Sequence, residues 1–477
     1  MSKGGKEAVE PAGALSVCTP KTEAFSTCLE MQEKGAITER TSGVSTTDKC
    51  MISRCEWWIT TTAFFFLGMS SLFAWNNVLY LLPYVTEHFL DGYDAGNSLL
   101  GVFQVGNLTV QVLLMFVGTV RERWLHLGLF LGSIMCGVFG PCVIYGSVQT
   151  RIALVHVLCF LLGSGSGFVQ GSGFSYGAIM PVNQVGVYSA GQGFGAIFSV
   201  VLVGILSYTV VDIEIQKDVE TLVNVTAGVS AAVGVVCILL MATSIRQAGA
   251  KRAVAEALAE GNNKKHKSAD GVQGSASSPT ELQEVSVSSA VPGASTEPVE
   301  EKRNALLIVL RQSGVQIACV FLLFFVTCNL FPRVGPLQWD TSNPPKNHLV
   351  WLLGVFPFGD TLGKCLCAYA EQGRLFKGFV LFSPRLMPWL TVLRFGLYIP
   401  FFLSKHLHEN AVFNAFWFQI ILMVVLSVTH GWFATLAFIY SVDAVPNMAD
   451  RKHVGPVAIV SLILGILSGL YFALLYR

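Results

Sequence analysis

An aspartate and a lysine stand four residues apart inside an apolar run: Asp360 and Lys364, within Phe356-Pro357-Phe358-Gly359-Asp360-Thr361-Leu362-Gly363-Lys364. Residues four apart share one helix face, so the carboxylate and the ammonium can pair. The run, about 348–370, reads as a membrane span, where a carboxylate at mid-bilayer costs about 3 kcal/mol. Two roles would justify that cost. One is an internal ion pair that fixes helix packing; the other is a site for a polar solute, or its gate. Pro357 and Gly359 loosen the same turn, and broken helices expose backbone groups to substrate cavities.

Other polar groups sit at similar depth. Trp75, followed by Asn76 and Asn77, lies in a run continued by Val78, Leu79 and Tyr80. Trp75 is either an interfacial belt residue or an aromatic platform beside hydrogen-bonding amides, suited to a flat polar ligand. Leu79, one turn on, joins the same candidate site. Gln170 carries both donors and an acceptor, and serves as interhelical glue or as a substrate contact. Gln192 reads as packing support. Arg394 either snorkels to the membrane surface or pairs within the bundle as a gate. His156 and His430 read as hydrogen-bonded structural residues. Cys365 and Cys367 form a lone CxC with no further ligand pattern, so no metal and no cofactor is expected. No phosphate-binding loop and no Ser-His-Asp order is visible, which argues against an ATP-driven pump and against an enzyme.

The elements that must position these residues are membrane helices. The 477-residue chain is 52% apolar and only 13% charged, where soluble domains carry about 25% charged residues. Charges fall in short clusters between apolar runs of the length a bilayer requires, about 20 residues. The expected fold is an all-α membrane protein of eleven transmembrane helices in a 6+5, major-facilitator-like bundle. Its expected divisions are a disordered cytoplasmic tail (1–55), a six-helix bundle (56–245), a low-complexity cytoplasmic linker (246–303) and a five-helix bundle (304–477). The spans fall at about 57–84, 97–118, 125–146, 152–176, 187–211, 223–245, 304–332, 348–370, 386–404, 411–440 and 454–476.

Loops on one side hold Arg121, Arg123, Arg246, Lys251, Arg252, Arg374, Lys377, Arg385, Arg451 and Lys452; the other side holds Arg151, Lys217, Arg333, Lys346 and Lys405. That bias orients the N-terminus and the linker to the cytoplasm and, with an odd span count, the C-terminus outside. Glycines four apart (Gly163, Gly167 and Gly171; Gly191 and Gly195; Gly465 and Gly469) suit close helix packing in lipid. Net charge is +1, so no nucleic-acid partner is implied. The expected partners are a small polar solute and the lipid bilayer, with no obligate protein partner. Proton coupling is open, since an intramembrane carboxylate can carry a proton. A sugar or organic-cation transporter, or a membrane receptor or scaffold, are the alternative readings.

Several of these residues fall in one pattern, which resembles the equilibrative nucleoside transporter family. Leu72-Phe73-Ala74-Trp75-Asn76 is similar to that family's helix-one Pro-Trp-Asn motif, with Ala74 in place of proline. Val169-Gln170-Gly171-Ser172 resembles its helix-four Gln-Gly-Ser, and Ser189-Ala190-Gly191-Gln192-Gly193 its helix-five Ser-Gly-Gln-Gly. Phe358-Gly359-Asp360-Thr361-Leu362-Gly363-Lys364 resembles the helix-eight Phe-Asp-x-x-Gly-Arg, with Lys364 where arginine is usual. Arg394 followed by Pro400 resembles a helix-nine pattern. Leu330-Phe331-Pro332-Arg333-Val334-Gly335 and His430-Gly431-Trp432-Phe433 look most like the apicomplexan-parasite branch, which imports host purines. The resemblance implies a plasma-membrane transporter of nucleosides or nucleobases, purines such as adenosine or inosine favoured, working by alternating access. It also implies that Trp75 stacks on the base, Gln170 bonds the base edge and Asp360 binds the ribose hydroxyls.

Overall fold

The computed structural model describes residues 54–93, 96–117, 122–180, 184–210, 214–256, 259, 299–345, 348–372, 377–407 and 410–476. The expected tail (1–55) lies outside the described residues except for its last two, and so does most of the expected linker. The described chain is helical: α1 (Arg54–Phe89), α2 (Gly96–Val117), α3 (Glu122–Ile144), α4 (Val148–Ile179), α5 (Val185–Ile205), α6 (Gln216–Ile245), α7 (Val299–Asn329), α8 (His348–Gln372), α9 (Met387–His406), α10 (Phe416–Asp443) and α11 (Val454–Phe472).

Among the described residues ten helices are long and apolar enough to cross a membrane, one fewer than the eleven read from the sequence. The helix outside that ten is α8, which carries Asp360 and Lys364. Their charges lower its mean hydropathy, although at about 1.5 Å per residue its 25 residues match the others in length. The outward faces of the bundle are apolar, with Phe130, Leu239, Trp389, Ile399 and Trp417 all exposed. This is the surface an acyl-chain solvent requires.

Three stretches differ from expectation. The expected linker is helical at its start, over 248–256, where Ala, Lys, Arg and Glu are strong helix formers and Ala250 and Ala253 are buried. α7 likewise begins at Val299, five residues before the expected span. α9 is broken: an α-helical turn from Met387 to Leu393, a 3₁₀ turn from Arg394 to Leu397, then α-helix from Tyr398 to His406. Pro400 accounts for the break, because it has no N–H for the Gly396 carbonyl.

Packing follows the glycines. A Cβ on Gly163 would overlap the Phe103 carbonyl of α2, and one on Gly191 the Phe65 carbonyl of α1. On Gly465 and Gly469 it would lie 2.5 and 2.6 Å from the Phe321 and Phe325 carbonyls of α7. Only hydrogen at these positions lets the helices approach so closely.

The largest cluster of buried apolar side chains lies at the end of the bundle holding the start of α1 and the end of α10, and Val110, Leu114 and Phe168 form a small separate one. The largest cluster draws on both sides of the chain: Phe64, Phe174 and Tyr188 together with Val320, Phe438 and Ile459. At the opposite end there are two separate clusters. One contains only residues from α1 to α6, among them Trp75, Phe103 and Leu222. The other contains only residues from α7 onward, among them Val326, Phe401 and Met423.

Candidate substrate site

α8 turns its charged face inward. Asp360 is 7% exposed, and its Oδ2 accepts from Lys364 Nζ at 2.7 Å. Oδ1 has no hydrogen-bond partner among the described residues; His430 Nε2 lies 4.0 Å from it. The other main contributor is α10, which crosses α8 on glycine. A Cβ on Gly431 would overlap the Asp360 carbonyl, and one on Gly359 the Ser427 hydroxyl. That crossing seats His430 beside the carboxylate.

Behind His430 stands a chain of polar groups from two further helices. His430 Nδ1 and Thr327 Oγ1 of α7 are 3.0 Å apart. Thr327 Oγ1 also accepts from Arg394 Nη2 at 3.0 Å, and the same nitrogen donates to the Leu426 carbonyl at 3.0 Å. Arg394 is 4% exposed, so the snorkelling alternative fails: the broken α9 points the guanidinium into the bundle. Its Nε and Nη1 have no partner among the described residues. Phe324 meets the His430 ring edge-on, with centroids 4.6 Å apart.

A second polar cluster forms where α1, α4 and α5 meet. Gln170 donates to Ser166 Oγ at 2.8 Å, and Ser166 Oγ donates to the Ser71 carbonyl at 2.6 Å. Gln192 donates to Ser71 Oγ at 3.3 Å. Trp75 is buried and stacks on Phe103, with centroids 4.2 Å and planes 19° apart, which removes the interfacial-belt alternative. Asn76 and Leu79 are half-buried, and Leu79 packs beside the Trp75 cluster. Asn77 donates to Ser230 of α6 at 2.7 Å, so the second amide of the pair serves helix packing. Trp75, Phe103, Ser71 and Ser166 line a cavity of about 30 Å³, room for about one water. Asp360, Lys364 and Gln170 do not line it.

One helix joins the two clusters. A Cβ on Gly193 of α5 would lie 2.9 Å from Thr361 Oγ1 and 3.2 Å from Lys364 Cδ, while its neighbour Gln192 faces Ser71.

Residues 156–477, more than half of the sequence, match the family described as Nucleoside transporter. The chain belongs to the nucleoside transporter family. It is therefore a transporter and not an enzyme. It is 22% identical over 461 residues to Nucleoside transporter 1 of Plasmodium vivax, covering 95% of this chain and 96% of that one. It is 22% identical over 467 residues to human Equilibrative nucleoside transporter 2, covering 87% and 96%. Among solved structures it is similar to the major facilitator proton:xylose symporter XylE, with a TM-score of 0.60, 12% identity and coverage of 89% and 90%. At that identity the likeness shows the fold alone: this transporter has the major facilitator fold.

The transporter's charged cluster contains two residues that reading the sequence did not place there. Thr327 gave no signal, since one threonine in a long apolar helix is unremarkable. His430 read as structural; its place in the His430-Gly431-Trp432-Phe433 motif, with a glycine that admits the α8 backbone, was the available clue.

Proposed function

We propose that this transporter moves purine nucleosides, adenosine and inosine among them, across the plasma membrane by alternating access. The observation that carries the reading is Asp360: an inward-turned carboxylate with one oxygen held by Lys364 and the other free to accept from a solute. A ribose offers hydroxyl donors to that oxygen. Gln170 bonds the edge of the base, Trp75 and Leu79 form the apolar wall beside it, and Asn76 borders that wall. Lys364 holds Asp360 in place through the 2.7 Å contact to Oδ2. Arg394 and Gln192 tie the helices around the site.

Alternating access is supported by how the core divides. One end of the bundle is sealed by a core that both sides share, with Phe174 of α4 stacked on Phe438 of α10 at 4.6 Å and Ser175 Oγ donating to the Lys452 carbonyl at 2.8 Å. At the other end the described residues form two separate cores, one from each side. The sealed end is the one the Lys and Arg bias assigns to the cytoplasm. The cavity beside Trp75 holds only about one water, so the solute is admitted by helix movement. In this reading α8 is the eleventh span, the N-terminus is cytoplasmic and the C-terminus extracellular.

Radiolabelled adenosine uptake into oocytes expressing the full chain tests the reading. Excess inosine should compete and excess sugar should not. Competition by sugar without competition by inosine would overturn it.

A further inference from the structure

His430 is 5% exposed and carries two ring nitrogens that face different partners. Which nitrogen holds the hydrogen follows from the groups around it. Thr327 Oγ1 has two hydrogen-bond partners, Arg394 Nη2 and His430 Nδ1. A guanidinium nitrogen donates and never accepts. Among the described residues, the acceptor left for the Thr327 hydroxyl hydrogen is therefore His430 Nδ1. A neutral imidazole that accepts at Nδ1 carries its hydrogen on Nε2. That N–H faces Asp360 Oδ1, the carboxylate oxygen Lys364 does not hold, at 4.0 Å.

A separation of 4.0 Å is too long for a direct hydrogen bond. It is short enough for one oxygen, about 2.8 Å from each atom, to bridge them. A hydroxyl is the group that fits: it accepts from Nε2–H and donates to the carboxylate. A bare amine cannot accept from the imidazole while charged, and a keto oxygen cannot donate to Asp360. Arg394 and Thr327 fix the tautomer, and the Gly431 crossing fixes the ring's distance from α8.

We propose that His430 is a further substrate-binding residue, which with Asp360 clasps a single sugar hydroxyl as donor and acceptor at once, while Thr327 and Arg394 act as positioning residues. The proposal rests on the reading of Asp360 as the acceptor for a nucleoside hydroxyl. It makes the transporter select for that hydroxyl, because an analogue without it leaves two buried polar groups unpaired.

The test is competition of adenosine uptake by adenosine, 2′-deoxyadenosine and 3′-deoxyadenosine in cells expressing the full chain, read as the ratio of inhibition constants. Wild type should disfavour one deoxy analogue by about 10-fold or more. His430→Gln places an amide N–H near the Nε2 position and should keep much of that ratio. His430→Asn keeps an acceptor for Thr327 but is too short to reach the hydroxyl, so its ratio should fall toward one. Loss of packing alone would weaken all three ligands together and leave the ratio unchanged. A wild-type ratio in His430→Asn overturns the proposal. Should that variant not reach the cell surface, Thr327→Ser and Thr327→Val ask the same question one residue away. Serine should preserve the ratio and valine relax it; equal ratios in the two overturn the proposal. Asp360→Asn in the same assay separates the two ideas. If it retains the wild-type ratio, the Asp360 reading itself fails; if it loses the ratio while His430→Asn keeps it, only the role of His430 fails.

Discussion

Removing the Asp360 carboxylate should have two effects of different origin, and they can be separated. Lys364 Nζ lies 2.7 Å from Asp360 Oδ2, and both side chains are mostly buried. Asp360→Ala leaves that ammonium without its partner, and breaking a buried pair from one side costs about 3–5 kcal/mol. Against a total stability of about 5–15 kcal/mol, surface expression and the thermal midpoint of the detergent-solubilised protein should fall sharply. The second effect is on the solute. A hydrogen bond to a charged group contributes about 1.5–3 kcal/mol, so affinity should drop about 10- to 150-fold. Adding Lys364→Met removes the orphaned charge while keeping a stem of similar length, and replacing both members of a buried pair by apolar groups is often neutral or stabilising. The double variant should regain its thermal midpoint and reach the surface, yet still fail to take up radiolabelled adenosine. If Asp360→Ala/Lys364→Met transports at the wild-type rate, the pair is only a packing device and the site lies elsewhere.

Other outcomes follow from the same geometry. Gly431→Ala sets a methyl against the Asp360 carbonyl and should lower the thermal midpoint, with overpacking costing about 1–3 kcal/mol, whereas Gly396→Ala meets open space and should leave it unchanged. Trp75→Ala removes the stack on Phe103 and should raise the KM for adenosine more than it lowers the maximal rate; unchanged competition curves would refute the placement of Trp75 at the solute. Phe174→Leu and Phe438→Leu should show a coupling of about 0.5–1.5 kcal/mol in a double-mutant cycle on the thermal midpoint, because the ring pair is the shared interaction. Strict additivity would mean the two rings do not seal that end.

How much of this was legible in the sequence depends on how local each rule is. The bilayer imposes its conditions on each span separately: enough apolar length, a satisfied backbone, small residues wherever another helix comes close. Those conditions leave a mark in each stretch of chain, so the spans could be read in order and the paired glycines picked out before their neighbours were known. Gly163, Gly191 and Gly465 each meet a facing carbonyl. The Asp360–Lys364 pair was equally readable, because a spacing of four residues closes within one helix. α8 was readable in the same way, as an apolar run over about 348–370, although its two charges lower its hydropathy.

Partnerships between helices left no such mark. The choice between snorkelling and pairing for Arg394 depended on α9 breaking at Gly396 and Pro400 and on Thr327 waiting across the gap. Trp75 could be a belt residue or a buried wall until Phe103 of α2 was placed against it. His430 came to face Asp360 because Gly431 lets two helices touch, a contact between residues 70 positions apart. The amino-acid order fixes which polar groups lie within the bilayer, because lipid penalises each one wherever it stands. Only the packed bundle fixes which of them meet, because that is set by the crossing of helices distant in the chain.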